Sequence, residues 1–175
     1  KLMTSYILAY EVERGRVNQD DLVLVSQNAW AQNPIFKGSS LMWLEPGMEV
    51  PVKELEKGIV ISSGNDATVA VAEHLAGNEA AFADMMNTHA QRLGMVDSYF
   101  ENSHGLPSPN HRSSAHDLAL LAQAIIEDFP TPYQIYSQRE YTFNNIRQFN
   151  RNSLLGDDPS VDGLKTGYTS EAGYG

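Results

Sequence analysis

The chain contains no cysteine, which removes disulfides and thiolate metal sites and leaves the redox compartment open. It also lacks any uninterrupted apolar run near the roughly 18–20 residues that a membrane-crossing helix needs, and no charged-then-apolar leader opens these residues. Basic side chains are few: 12 Lys and Arg against 22 Asp and Glu give a formal net charge of −10. A surface of that sign repels phosphate, so nucleic acid is disfavoured as a partner and a neutral or cationic ligand suits it better. What is present, 175 residues with 42% hydrophobic and 19% charged content, fits one globular domain or most of one. Both ends read as abrupt. Lys1-Leu2-Met3-Thr4-Ser5-Tyr6 has the character of a helix interior, and Glu171 to Gly175 stops within strand-forming sequence, so further sequence is expected on each side.

Apolar residues at Leu2, Met3, Tyr6, Ile7 and Tyr10 predict a helix over residues 1–14, stopped by Gly15. Short strands are expected at Leu22 to Val25 and at Ser40 to Leu44, the latter closed by Glu45-Pro46-Gly47. The helical period returns at Val52, breaks at Ser62-Ser63-Gly64-Asn65, and resumes from Asp66 to Leu75. Asn78 caps the next helix, whose stripe carries Phe82, Met85, Met86, His89, Ala90 and Leu93 before Gly94 ends it. Ser114-Ala115-His116-Asp117 has the form of a capping box, with Leu118, Leu121, Ile125 and Phe129 as the buried face of the helix that follows and Pro130 as its end. Glu140 to Phe143 and Leu164 to Thr169 read as extended, separated by the polar stretch Asn150 to Asp162. Helices flanked by strands from both ends of the chain predict an α+β domain, a sheet with a cluster of helices.

Three short elements carry chemistry by occurring together and in order: Lys1 opening a helix, Ser63-Gly64-Asn65 between two helices, and Lys165-Thr166-Gly167 on a late strand. Each alone is common, as a solvated lysine or a helix cap. Together they follow the order Ser-x-x-Lys, Ser-x-Asn, Lys-Thr-Gly of penicillin-binding proteins and class A β-lactamases. Longer blocks sharpen the match: Phe36-Lys-Gly-Ser-Ser40, Gly58 to Ala67, Ser103-His-Gly-Leu106 and Val161 to Thr169. Over nearly its whole length the chain resembles the serine D-alanyl-D-alanine carboxypeptidases, the low-molecular-mass penicillin-binding proteins.

The resemblance implies a β-lactamase/transpeptidase-like fold, an antiparallel sheet with a helical lobe, of which residues 1–175 would be a partial penicillin-binding catalytic domain truncated at both ends. It makes Lys1 the lysine of Ser-x-x-Lys, so the nucleophilic serine is expected three residues ahead of Lys1, where the two side chains share a helix face. Serine is a weak nucleophile at neutral pH and needs such a base, and burial beside a cation such as Lys165 would keep the Lys1 amine neutral for part of the time. Ser63 would relay a proton to the leaving amine, and Asn65 would hydrogen-bond Lys1 or the substrate amide. Lys165, Thr166 and Gly167 would form a strand edge for the peptide and attract its carboxylate, with Arg151 nearby and the Tyr168 N–H completing an oxyanion hole.

The implied reaction removes the terminal D-alanine of peptidoglycan stem pentapeptides through an acyl-enzyme, needs no cofactor, and is blocked by acylating β-lactams. The implied location is periplasmic, with inner-membrane contact through a C-terminal anchor outside these residues. Three other readings remain at this point: a D,D-endopeptidase on the same scaffold, a serine β-lactamase, and a non-catalytic wall-binding domain. A class A β-lactamase would show Ser-Asp-Asn and a glutamate for deacylation, whereas this loop is Ser-Gly-Asn. None of the five histidines forms a His-x-x-x-His pair beside a glutamate base, so no metal is assigned; His89 reads as packing, His104 as shaping a loop near the cleft, and Met85-Met86 as core.

Overall fold

Helix α1 (Leu2–Glu13) runs through the middle of the molecule, which a computed structural model describes over residues 1–175. Its apolar residues occupy more than one face, and the packing uses them all. Leu8 joins Val23, Val50, Leu55, Ile59 and Val69, while Met3, Tyr6, Ile7 and Ala9 join Phe82, Met86, Leu121 and Ile125 on the other side. A helix that is apolar all round has to be enclosed. Gly15, at φ +66°, ends it, its N–H donating to the Val12 carbonyl at 2.9 Å.

Strand β1 (Leu22–Leu24) pairs antiparallel with β2 (Glu49–Pro51), Val23 facing Val50. The strand expected over Ser40–Leu44 does not form. Burial alternates there as in a strand, Met42 and Leu44 inward and Trp43 outward, but the Met42 and Leu44 N–H groups both donate to the Asp66 carboxylate, at 2.8 and 3.0 Å. Trp43 between them lies at φ +72°. Backbone donors committed to a side chain cannot build a ladder. Strand β2, which periodicity did not predict, is three residues long and shows too little alternation to be read.

Helices α2 (Val52–Val60), α3 (Asn65–Ala76) and α4 (Glu79–Arg92) follow. Gly77 closes α3 in the left-handed region, and Asn78 Oδ1 caps α4 by accepting the Ala81 N–H at 2.9 Å. His89 is buried against Tyr6 and Tyr10, with ring centroids 5.6 and 4.7 Å away, so its role is packing. In α5 (Ala115–Asp128), Ser114 Oγ accepts the Asp117 N–H at 3.1 Å. The reciprocal half of the capping box is absent, because the Asp117 carboxylate accepts the Asp97 N–H and the Ser98 hydroxyl instead. Leu121, Ile125 and Phe129 form the buried face as predicted; Leu118 does not, standing 38% exposed.

Pro130 ends α5 and opens the short helix α6 (Pro130–Tyr133). Strand β3 (Glu140–Phe143) pairs with an unanticipated β4 (Ile146–Phe149) across Asn144-Asn145, both at positive φ, the backbone that a tight hairpin demands. A single turn, α7 (Leu154–Asp157), interrupts the polar stretch. Of the strand expected at Leu164 to Thr169, only β5 (Tyr168–Thr169) is regular, paired with β6 (Gly173–Tyr174). Gly167 extends that pairing by exchanging N–H···O bonds with Gly175 at 2.8 and 2.9 Å. The α+β class holds. The strands, however, form three two-stranded antiparallel ribbons rather than one sheet, and no helix is long and apolar enough to cross a membrane.

Candidate active site

Lys1 stands at the N-terminal end of α1, and its Nζ donates to the main-chain carbonyl of His104 at 2.7 Å. That carbonyl is held in place by neighbours on both sides. Thr4 Oγ1 donates to the Ser103 carbonyl at 2.6 Å, and the Glu79 carboxylate accepts the Ser103 N–H and hydroxyl at 3.0 and 2.8 Å. His104 itself is buried; its Nδ1 accepts the Leu106 N–H at 3.1 Å and its ring packs edge-on against Phe36. Burial above all, and then the Lys1 cation, push the His104 pKa down to about 3, so the imidazole stays neutral. The block Ser103-His-Gly-Leu106 thus presents a carbonyl to the lysine, and the histidine shapes the loop as expected.

The electrostatics of Lys1 follow from its surroundings. Burial first, and then the Lys165 cation, bring its pKa down to about 7 against the partial opposition of the Asp66 carboxylate. Lys165 is lowered in turn to about 8, by burial first and then by Arg151. Lys165 therefore lies in reach of both Lys1 and Arg151, linking three sequence-predicted residues from distant parts of the chain. Lys165 Nζ donates to the Thr166 carbonyl at 2.7 Å. Arg151 is exposed and has no ion-pair partner, while its neighbours Asn150 and Asn152 are tied down, Asn152 Nδ2 donating to the Gly163 carbonyl at 3.0 Å. That bond links the Arg151 loop to the segment leading into Lys165.

The Ser63-Gly64-Asn65 loop connects α2 to α3. Ser63 adopts φ +62°, uncommon for a residue with a side chain, and its hydroxyl has no protein partner. Gly64 is required sterically: a Cβ there would sit 2.9 Å from Asp66 Oδ1 and 3.0 Å from the Met42 N. Asn65 is buried, its N–H bonded to the Ser40 carbonyl and its Nδ2 to Ser39 Oγ at 2.7 Å, yet its Oδ1 has no donor. A buried acceptor left open in this way is uncommon and marks a position where a ligand donor would be favourable. Thr166 and Gly167 lie at the start of the β5 edge, and Tyr168 is 63% exposed, its ring tilted against that of Tyr174 with centroids 4.7 Å apart. No direct bond joins Ser63 to Lys1 or Lys165.

Sequence reasoning did not anticipate Asp66, the buried carboxylate that organises the Met42–Leu44 segment and lies in the field of Lys1. Nor did it give roles to Ser39 or to the His104 carbonyl. The first reads as a helix-start acid, and the other two act through atoms that motif spacing does not report.

The D-alanyl-D-alanine carboxypeptidase family model matches residues 1–175 without a gap at either end. The chain belongs to that family. Its similarity to the D-alanyl-D-alanine carboxypeptidase DacA of Escherichia coli K12 is 50% identity over 176 residues, covering 99% of this chain and 44% of that protein. Penicillin binding protein 5 of Haemophilus influenzae, at 44% identity, superposes with a TM-score of 0.95 over 99% of this chain and 50% of its own. Penicillin binding protein 6B of E. coli, at 48% identity, gives the same TM-score over 99% and 55%. The chain thus spans about half the length of the carboxypeptidases it matches, and its fold is that of the penicillin-binding proteins.

Proposed function

We propose that the protein containing this chain is a serine D-alanyl-D-alanine carboxypeptidase that removes the terminal D-alanine from peptidoglycan stem pentapeptides and is acylated by β-lactams. Residues 1–175 would be part of its penicillin-binding catalytic domain. The observation that carries the reading is Lys1: an amine held by the His104 carbonyl, buried beside Lys165, with its pKa brought down to about 7. Such a group can take a proton at neutral pH, which an ordinary lysine cannot.

In this mechanism Lys1 deprotonates a serine three residues ahead of it on the same helix, and the serine attacks the carbonyl between the two D-alanines. Ser63, whose hydroxyl is unpaired, passes a proton to the leaving amine. The open Oδ1 of Asn65 accepts from Lys1 or from the substrate amide. Lys165, Thr166 and the unpaired Arg151 attract the terminal carboxylate, the Gly167 edge lies along the peptide backbone, and the Tyr168 N–H joins the serine N–H in binding the oxyanion. Water then hydrolyses the ester. Family membership and the names of the relatives support this assignment, and a periplasmic location with inner-membrane association of the whole protein is part of the same proposal. The β-lactamase reading is weakened by the loop itself, Ser63-Gly64-Asn65 where a class A enzyme has Ser-Asp-Asn.

A fluorescent penicillin should label the intact protein covalently and leave residues 1–175 unlabelled. Intact protein that resists labelling, or labelling of residues 1–175 alone, would refute the assignment. Release of free D-alanine from a stem pentapeptide separates the carboxypeptidase from an endopeptidase, which would release none.

A further inference from the structure

A groove of about 270 Å³ opens beside the candidate site, lined by Leu41, Trp43, Ser62, β4 and Arg151. One wall is the segment that failed to become a strand. Trp43, the residue there at φ +72°, is half exposed, although a bulky side chain in the left-handed region costs on the order of 1–3 kcal/mol. The conformation persists because its surroundings dictate it. Asp66 accepts the N–H groups on either side of Trp43, and Gln148 Nε2 from β4 donates to the Met42 carbonyl at 3.2 Å. The result is an indole held at the rim of the groove by the carboxylate that follows Asn65.

The opposite wall is equally ordered. Arg147 bonds through Nε to Glu140 at 3.0 Å and lies over the Phe149 ring, 4.9 Å from its centroid, so its charge is already neutralised. Arg151 is the cation in the groove with no acidic partner. The groove therefore joins one free positive charge to an apolar, partly aromatic trough formed by Leu41, Trp43, Ile146 and Phe149. It begins next to the Ser63 loop, at Ser62, and includes the arginine assigned above to the terminal carboxylate.

We propose that this groove is a leaving-group subsite, with Trp43 as its specificity-determining residue, for peptides whose C-terminal residue carries an apolar body larger than a methyl group. The inference rests on the proposed carboxypeptidase reading. Arg151 takes the terminal carboxylate of such a residue, and its side chain lies in the trough against the indole. The bond changes are those of the reaction already described: the amide C–N bond breaks, the serine ester forms, and the proton goes to the released amine. Only the size of the departing amino acid differs.

The test uses the intact protein and two acyl-D-alanyl peptides that differ only in the last residue, D-alanine or D-phenylalanine. Replacing an indole by a methyl group removes a large apolar contact, so Trp43→Ala should lower kcat/KM for the D-phenylalanine peptide about tenfold more than for the D-alanine peptide. Trp43→Phe should restore most of the difference. Equal losses on the two peptides, or no loss on either, would overturn the subsite while leaving the carboxypeptidase assignment intact. Wild-type protein that neither acylates with penicillin nor releases D-alanine would instead overturn the assignment, and the subsite with it.

Discussion

At the scale of single residues, the candidate site works by placing charges of one sign close together under cover. Burial is the main pressure on both lysines, to which the Lys165 cation adds at Lys1 and the Arg151 cation at Lys165. A protonated ammonium in that setting is disfavoured, which is how a lysine becomes a base near neutrality. If Lys1 is that base, the rate of penicillin acylation by the intact protein should rise as pH increases through about 7. Removing the Lys165 cation by Lys165→Gln relieves part of the pressure, so the Lys1 pKa moves up. The variant's profile should then shift to higher pH, with a greater loss of rate at pH 7 than at pH 9. A midpoint that stays in place when Lys165 is removed would show that the two amines are not coupled.

At the scale of elements, local capping decides where the helices begin, and its effects can be measured one cap at a time. Ser114→Ala removes the acceptor for the Asp117 N–H at the start of α5 and should lower stability by about 1 kcal/mol, read as a drop in urea midpoint with an unchanged slope. A loss below a few tenths would mean that the bonds from Asp117 to Asp97 and Ser98 hold the helix start without it. The same elements show what was legible beforehand. Helices α1, α3, α4 and α5 were readable because apolar residues at helical spacing meet a cap or a glycine stop, as at Gly15, Gly77, Asn78 and Ser114, while α2 was readable from its period alone and the Ser62–Asn65 break. The segment Ser40–Leu44 reads as a strand because a short apolar run closed by Glu45-Pro46-Gly47 gives the same signal whether its backbone donors face a strand or the Asp66 carboxylate. Strand β4 was missed although Asn144-Asn145 is a hairpin turn signal, because it has no apolar alternation: Ile146 and Phe149 are exposed and its one buried side chain is Gln148. The motif residues Lys1, Ser63, Asn65 and Lys165 were legible as a set, whereas Asp66 and Trp43 were not, since their roles arise only when the chain folds them together.

At the scale of the molecule, α1 separates two apolar clusters, one toward β1, β2 and α3 and the other toward α4 and α5, so cohesion depends on the interior around that helix. One polar group stands out there. Glu56 on α2 is only 3% exposed, accepts no hydrogen bond from the protein, and has its pKa pushed up to about 7 by burial, with Lys57 pulling weakly the other way. Its folded-state pKa is therefore above that of an unfolded glutamate, near 4.5. Below the unfolded value both states hold the proton and the group costs no pH-dependent stability. As pH rises from there to about 7 the unfolded chain releases the proton while the folded one retains it, and stability falls; above 7 both are ionised and the loss is complete, about 3 kcal/mol. Glu56→Gln keeps the shape and removes the titration. In urea denaturation of the intact protein, the variant should gain on wild type as pH increases, the difference between them growing by about 3 kcal/mol from pH 4.5 to pH 8. A difference that does not change with pH would mean that the carboxylate is ionised and stabilised within the fold, in contradiction to its burial without a donor.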